Sequence, residues 1–428
     1  MVFPMMVMRA ALGVVARGGR RLIRVMTTAL LVGAGAAAPA SAPAVAQDPL
    51  AQVLALPQAS LLVEEAGRAV LARRADAPMV PASTMKLLTA LAAIQRWGLD
   101  HRFQTEVYRA VDGRLWVKGY GDPFLVSEEL EAIAVAVRAQ GVERLSGVGA
   151  DGTRFAPDLD IPGRSASDNP YDAPVTALAA NFNTLHVQRT AAGVRSAEEQ
   201  TPLTPLASGL ARSLPPGRHR VNLRDPSLAL RYFAELLAAK LRAAGVAVGD
   251  DHRVGPVPEG AQLLLRHHNS RDLAAVIGAT LEYSNNFAAN ALFLMLGDAG
   301  DGRPVTLRGA QERFGEWVAH TFAWRGFRVE DGAGLSRGNR LSARQLVDVL
   351  AALAPYRDLL PEQDARIRAK TGTLAGVSAY AGFVQRQGAW QPFALLINQP
   401  VPPGLRRQVA ESLVRAADLS RLCGGVAC

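Results

Sequence analysis

The sequence predicts an α+β fold built from two units, and three observations carry that prediction. Apolar residues alternate with period two in some segments and recur at helical spacing in others, so neither element type dominates. The early strands come in pairs separated by tight-turn residues rather than alternating with helices, as in antiparallel α+β folds. The texture of the chain also changes at Arg102, where a second set of strands and helices begins. A chain of 428 residues, 49% hydrophobic and 20% charged, is long enough for two such units and too apolar to be disordered.

The first 46 residues read as a signal peptide: Arg9, Arg17, Arg20, Arg21 and Arg24 without an acid, an apolar stretch at 25–37, and small residues ending in Ala44-Val45-Ala46. The apolar stretch falls short of the ~20 residues a membrane span needs, so export to the periplasm is expected rather than anchoring. Arg20-Arg21 leaves twin-arginine export as an alternative to the general route. Removing the five leader arginines from a formal charge of +9 leaves +4, compatible with an anionic polymer as partner and equally with a solvated surface. No nucleic-acid partner is expected. Cys423 and Cys428, the two cysteines, sit together at the end of the chain, as a small terminal disulfide ring or as two free thiols.

Strands are expected at 60–64 and 69–72 around Ala66-Gly67, then a helix at 82–95 led by Pro81, with Leu87, Leu88, Leu91 and Ile94 on one face. Strands at 103–108 and 114–117 flank Val111-Asp112-Gly113, and a helix follows at 128–138. Residues 151–224 are rich in Pro, Gly, Asn and Ser, with one strand at 185–188 and a polar, poorly periodic section at 191–216. Helices return at 228–243, at 273–296 as one long apolar element, and at 307–324 and 343–353. Alternating segments at 378–384 and 390–397 read as paired strands, and a helix at 405–419 closes the fold.

Three short patterns follow in order: Ser83-Thr84-Met85-Lys86, Ser284-Asn285-Asn286 and Lys370-Thr371-Gly372-Thr373. Each is weak alone; the ordered set in its local settings is specific. Residues i and i+3 share a helix face, so Lys86 reaches the Ser83 hydroxyl and serves as its base once burial and nearby cations depress its pKa. Ser83 lies in the first turn, where free N–H groups favour a developing oxyanion. Ser284 and Asn286 are locally unfavourable inside a helix, which points to a role: Ser284 passing a proton to the leaving amine, Asn286 positioning Lys86 and substrate. The alternative is a simple helix break. Lys370 supplies positive potential on an edge strand beside a cleft, Thr371 and Thr373 bind a substrate carboxylate, and Gly372 admits a substrate backbone. The N–H groups of Ser83 and Thr373 would form the oxyanion hole. The seven histidines show no metal spacing, so neither a metal nor another cofactor is expected.

From about Pro57 to Ala416 the chain resembles the D-alanyl-D-alanine carboxypeptidase/endopeptidase family, the low-molecular-mass class C penicillin-binding proteins. Besides the three patterns, the likeness rests on 118–123 (Lys-Gly-Tyr-Gly-Asp-Pro), 171–174 (Tyr-Asp-Ala-Pro) with 181–183 (Asn-Phe-Asn), and 331–337 (Asp-Gly-Ala-Gly-Leu-Ser-Arg). It implies a β-lactamase/transpeptidase-like domain, an antiparallel sheet flanked by helices in an α/β sandwich, from residues 47–101 and 266–428. An inserted α+β domain would occupy 102–265, within the 201-residue interval from Ser83 to Ser284. The resemblance further implies hydrolysis of peptidoglycan stem peptides through an acyl-enzyme on Ser83, as carboxypeptidase and with cross-links as endopeptidase, and acylation by β-lactam antibiotics. Asp151, Phe155 and Arg337 match positions that hold the free end of a diaminopimelate side chain. The nested subdomain usual in this class is cut down around 184–224, and the approach to Lys370 lacks the usual Asp-Gly-Thr-Leu. Two rival readings stand beside this one. A serine β-lactamase or related esterase follows if Tyr283-Ser284-Asn285 is taken as Tyr-x-Asn, one residue out of register; a non-catalytic penicillin or muropeptide sensor would acylate without turnover.

Overall fold

The computed structural model describes residues 48–419; the signal peptide expected at 1–46 and the Cys423–Cys428 pair lie outside the described residues. Six antiparallel strands form the main sheet, in the order Glu362–Asp364, Ile367–Leu374, Val377–Arg386, Ala389–Ile397, Ala59–Glu65 and Arg68–Arg73. Its middle joins the two ends of the described chain, with Ala59 opposite Ile397 and Val63 opposite Phe393. Period-two alternation decides which face each residue covers. Leu61, Val63, Leu395 and Ile397 pack against Val53 of the helix Pro49–Ala55 and against Val409 and Leu413 of the helix Leu405–Arg415. Leu62, Ala394 and Leu396 face the other way, onto Leu88 and Leu91 of the helix Met85–Trp97, Leu292 of Asn286–Leu296, and Leu346 and Leu350 of Ala343–Leu353. The sheet is therefore covered on both faces, the helix–sheet–helix sandwich of the predicted α+β class, and each fully buried leucine in it contributes about 1.5–3 kcal/mol.

Between the first two patterns lies a second, mixed sheet ordered Arg253–Val254, Val148–Asp151, Leu115–Gly119, Gln104–Arg109, Gln262–His268. Leu130 and Ile133 of the helix Ser127–Ala139 and Leu236 and Leu237 of Pro226–Ala243 cover it. The strand Gln262–His268 pairs antiparallel from Gln262 opposite Arg109 to His268 opposite Gln104, so the inserted sheet extends three residues past a boundary at 265. Its three consecutive leucines hide the alternation that marks a strand. The polar section 191–216 is ordered as well: the strand Gly193–Ser196 and the helix Pro205–Ala211 join Thr184–Thr190 and Gly217–Asn222 in a small three-stranded layer. The insert has a core of its own beneath this sheet, while Phe103, Phe124, Phe155 and Val175 join the apolar cluster of Leu88 and Phe287 and tie the insert to the main body.

The single long helix expected at 273–296 is two helices, Leu273–Glu282 and Asn286–Leu296. Ser284 breaks it with a left-handed backbone (φ 51°), and Asn285 restarts it by accepting the Ala288 N–H on its side chain at 3.0 Å. The polar run thus ends one helix and caps the next, as short polar side chains do where they bond to local backbone.

Candidate active site

Ser83 sits in a single 3-10 turn, Ala82–Thr84, at the mouth of the helix Met85–Trp97. Ala82 before it is held at φ 46°, a conformation costly for a residue with a Cβ. The surroundings enforce it: a Cβ on Gly334 (φ 80°) would lie 1.9 Å from the Ala82 carbonyl oxygen, so the loop 331–337 closes directly over this turn because Gly334 lacks a side chain.

Three residues on from Ser83, at the second position of that helix, Lys86 is 1% exposed. Its Nζ donates to Asn286 Oδ1 at 2.8 Å and to the Ala333 carbonyl at 2.8 Å, and lies 3.1 Å from Ser83 Oγ. Asn286 opens its helix because of the break at Ser284, and its Nδ2 donates to the Tyr171 carbonyl at 3.1 Å. The loop that presents Ala333 is organised by Asp331, fully buried, whose carboxylate accepts the N–H groups of Ala333, Leu335 and Ser336. Asn290 Oδ1 accepts Gly332 and Ala333 from below. Burial, then the positive charge of Lys370, hold the Lys86 amine well below its ordinary pKa, against the opposing pull of Asp331.

Lys370-Thr371-Gly372-Thr373 occupies the middle of the strand Ile367–Leu374. This strand is second in the sheet rather than the edge strand the sequence suggests, but the outermost strand pairs only with Ile367 and Arg368, which leaves 370–374 without a neighbouring strand on that side. A Cβ on Gly372 would stand 3.0 Å from the Ser83 nitrogen and 2.9 Å from the Pro81 carbonyl; glycine is what lets this edge lie against the nucleophile turn. Lys370, 2% exposed, donates to the Thr371 carbonyl at 3.0 Å, and burial followed by the charge of Arg406 lowers its pKa to about 8, with Glu282 opposing. Thr373 is exposed at the cleft.

Arg406 escapes the sequence reading. From the helix Leu405–Arg415 its Nη1 donates to the Gly372 carbonyl and to Thr373 Oγ1, both at 2.7 Å. The available signal is a local violation: a cation in the first turn of a helix opposes the dipole there.

Ser83, Lys86, Asn286 and the Lys370 strand are thus brought together. Ser284 stands half-buried two residues from Asn286, its hydroxyl without a hydrogen bond among the described residues. Asn286, not Asn285, reaches Lys86, and Tyr283 is 80% exposed, so the out-of-register Tyr-x-Asn reading is not the one the fold uses. Arg337 is exposed and donates to the carbonyl of Ala375, just past the Lys370 strand. Asp151 and Phe155 belong to the insert. The buried Asp151 carboxylate accepts Thr153 N at 2.8 Å, Thr153 Oγ1 at 2.6 Å and Val257 N at 2.9 Å, a turn-forming pattern at the end of its strand. Phe155, 3% exposed, is a core side chain packed by Gly121 and Met295. Both oxygens of the Asp151 carboxylate are engaged, whereas Phe155 also lines a cavity of about 450 Å³ with Thr153 and Leu230. Among the described residues no cluster of His, Cys, Asp and Glu suits a metal ion.

Comparison with known proteins agrees with this geometry. The model of the D-Ala-D-Ala carboxypeptidase 3 (S13) family matches residues 46–208 and 206–361. A D-alanyl-D-alanine carboxypeptidase of Actinomadura sp. (strain R39) is 30% identical, over 82% of this chain and 80% of its own. The crystal structure of penicillin binding protein 4 (dacB) from Haemophilus influenzae superposes with a TM-score of 0.68 at 20% identity, covering 83% of this chain and 95% of that one. It shares the transpeptidase/β-lactamase-like fold with an additional domain. A second structure of that protein, complexed with a β-lactam, gives a TM-score of 0.64 at 19% identity, over 85% and 98% of the two chains.

Proposed function

Since this chain belongs to the D-Ala-D-Ala carboxypeptidase 3 (S13) family and is a serine-type DD-peptidase, we propose that Ser83 is its nucleophile, Lys86 the base, and the stem peptides of peptidoglycan its substrate. One observation carries the reading: the surroundings of Lys86 Nζ. A neutral amine has two N–H groups and one lone pair. With the N–H groups held by Asn286 Oδ1 and the Ala333 carbonyl, the lone pair points at Ser83 Oγ, 3.1 Å away.

Ser83 Oγ attacks the carbonyl of the penultimate D-Ala while its proton passes to Lys86. The resulting oxyanion lies between the N–H groups of Ser83 and Thr373, on the two segments that Gly372 allows to meet. The terminal D-Ala nitrogen takes a proton by way of the Ser284 hydroxyl and leaves. Water, deprotonated in turn by Lys86, releases the acyl group and regenerates Ser83. Lys370, Thr371, Thr373 and Arg406 hold the terminal carboxylate, the group that distinguishes a chain end from an internal peptide. The same steps with a cross-linked stem cleave the bridge, and a β-lactam ring acylates Ser83. Arg337 borders the far side of the clamp and contacts the residue two places upstream. Residues 48–101 and 269–419 form the catalytic body and 102–268 the inserted domain. Because the substrate lies outside the cytoplasm, the protein is exported by its leader to the periplasm; no described helix is long and apolar enough to cross a membrane.

The test is release of D-Ala from a soluble pentapeptide by purified protein, with Ser83→Ala as the partner. Wild-type turnover with none in the variant, and a penicillin adduct found on Ser83 by mass spectrometry, is the expected result. Continued release of D-Ala by Ser83→Ala overturns the reading, and rapid penicillin turnover in place of a stable adduct favours a β-lactamase.

A further inference from the structure

At the opposite ends of the two helices that carry Lys86 and Asn286 lies a groove of about 530 Å³. Arg96 reaches it from the last turn of the helix Met85–Trp97, and Leu296 from the end of Asn286–Leu296. Thirteen residues at 1.5 Å each put it roughly 20 Å from the nucleophile. The helix Leu307–Phe322 supplies Arg313, Trp317 and His320. Two features separate this groove from an ordinary solvated surface.

The first is charge without a direct partner: Arg96 also borders the neighbouring cavity that holds Asp100 and Asp298, but pairs with neither among the described residues. Arg96 and Arg313 are both exposed, and neither guanidinium has a hydrogen bond or ion pair among the described residues. The residues lining the groove include no carboxylate. Two free guanidiniums facing one concavity repel each other, and an anion placed between them relieves that repulsion while accepting their N–H groups. The second is a fixed aromatic floor. Trp317 is half-buried, its ring centroid 5.3 Å from Phe314 and 6.1 Å from Phe322, and its Nε1 donates to Gln95 Oε1 at 3.1 Å. A ring held this way offers apolar contact without losing rotamer freedom on binding.

We propose that this groove is a second, non-catalytic binding site for the peptidoglycan polymer, Arg96 and Arg313 taking carboxylates of a stem peptide and Trp317 the apolar face of the unit beside it. The proposal rests on peptidoglycan being the substrate. A polymer repeats its units, so one stem engages Ser83 while another portion of the same material lies in the groove. The second contact raises the effective concentration of scissile stems at the active site without altering the chemistry there.

The experiment separates polymer retention from chemistry. Ser83→Ala protein, which binds without cutting, is sedimented with purified sacculi, alone and with R96E/R313E added. Retention is expected to fall about fivefold or more, and R96K/R313K to keep most of it, because charge rather than shape is required. In the Ser83 background, R96E/R313E is expected to hydrolyse the soluble pentapeptide within about twofold of wild type, since no groove residue touches the reaction. Unchanged retention of R96E/R313E on sacculi overturns the proposal, as does an equal loss of soluble-peptide turnover. Charge-dependent binding to phosphatidylglycerol vesicles, with sacculus binding untouched, also overturns it and assigns the groove to lipid. Arginine-dependent retention by a protein that fails to release D-Ala leaves the groove standing and refutes the catalytic reading instead.

Discussion

Lys86 and Asp151 are both charged residues buried to 1% exposure, both singled out by the sequence, and they do opposite things. Lys86 is held by two acceptors and has its remaining direction aimed at Ser83 Oγ, 3.1 Å away. Asp151 has each carboxylate oxygen engaged by donors from its own turn and from Val257. Burial alone therefore does not mark a functional group. What marks it is an unsatisfied direction that points where a substrate goes, kept open by neighbours that satisfy every other one.

The most severe way to break this contrast is Lys86→Ala, which removes the base and leaves Asn286 Oδ1 and the Ala333 carbonyl buried without a donor. Acylation by a β-lactam is expected to slow by about 10³–10⁴-fold, read by stopped flow or by mass of the adduct. A loss below tenfold would mean that Ser83 is activated by something else. The pH profile sharpens the same point. In the proposed mechanism Lys86 works as the neutral amine, so activity is expected to fall as pH drops through its depressed pKa, while Lys370, proposed to hold the carboxylate as a cation, loses charge as pH rises through about 8. For hydrolysis of a carboxylate-terminated peptide, kcat/KM should therefore fall on the alkaline side near pH 8, and Lys370→Arg, which stays charged, should move that limb upward by more than one pH unit. A falling limb left in place would assign it to another group. Arg406→Ala comes next: it frees the Gly372 carbonyl and Thr373 Oγ1 of a cationic partner, and KM for the peptide is expected to rise about tenfold with kcat changed by less than threefold. A drop in kcat alone would remove Arg406 from the carboxylate clamp.

What the sequence makes legible follows from range. Ser83 and Lys86 are three residues apart, and a helix places them together whatever the rest of the chain does. The Ser284 run is visible as a conflict with helix propensity, and the two readings offered for it, helix break and catalytic element, do not exclude each other: the break puts Asn286 at a helix start facing Lys86. The Ala333 carbonyl, the Tyr171 carbonyl and Arg406 were not legible as partners, because a backbone carbonyl has no sequence signature and Arg406 meets its partners across 33 or 34 residues. Family likeness, in turn, marks positions without saying which way their side chains point. Arg337 donates to the Ala375 carbonyl, the Asp151 carboxylate is engaged by Thr153 and Val257, and Phe155 packs in the core beside a cavity. Strands with mixed patterns, such as Gln262–His268, were missed for a similar reason: their burial is settled by a distant partner, here Gln104–Arg109, and not by their own alternation.

The smallest catalytic effect is expected at Asp151, where the comparison is tested from its other side. Asn is the same shape as Asp but carries a donor in place of one acceptor. Whichever way the Asp151→Asn amide turns, its NH₂ faces either the Thr153 N–H or the Val257 N–H, both of which need an acceptor. One backbone donor on a part-exposed turn then loses its acceptor, at a cost of about 0.5–1.5 kcal/mol measured from the denaturation midpoint. Activity on a pentapeptide with diaminopimelate at its third position should stay within about twofold of wild type, because no reacting or substrate-holding group has been touched. If kcat/KM for that peptide instead falls tenfold while a lysine-containing peptide is unaffected, Asp151 senses the free end of the side chain despite its engaged oxygens. The contrast drawn between it and Lys86 would then have to be one of degree.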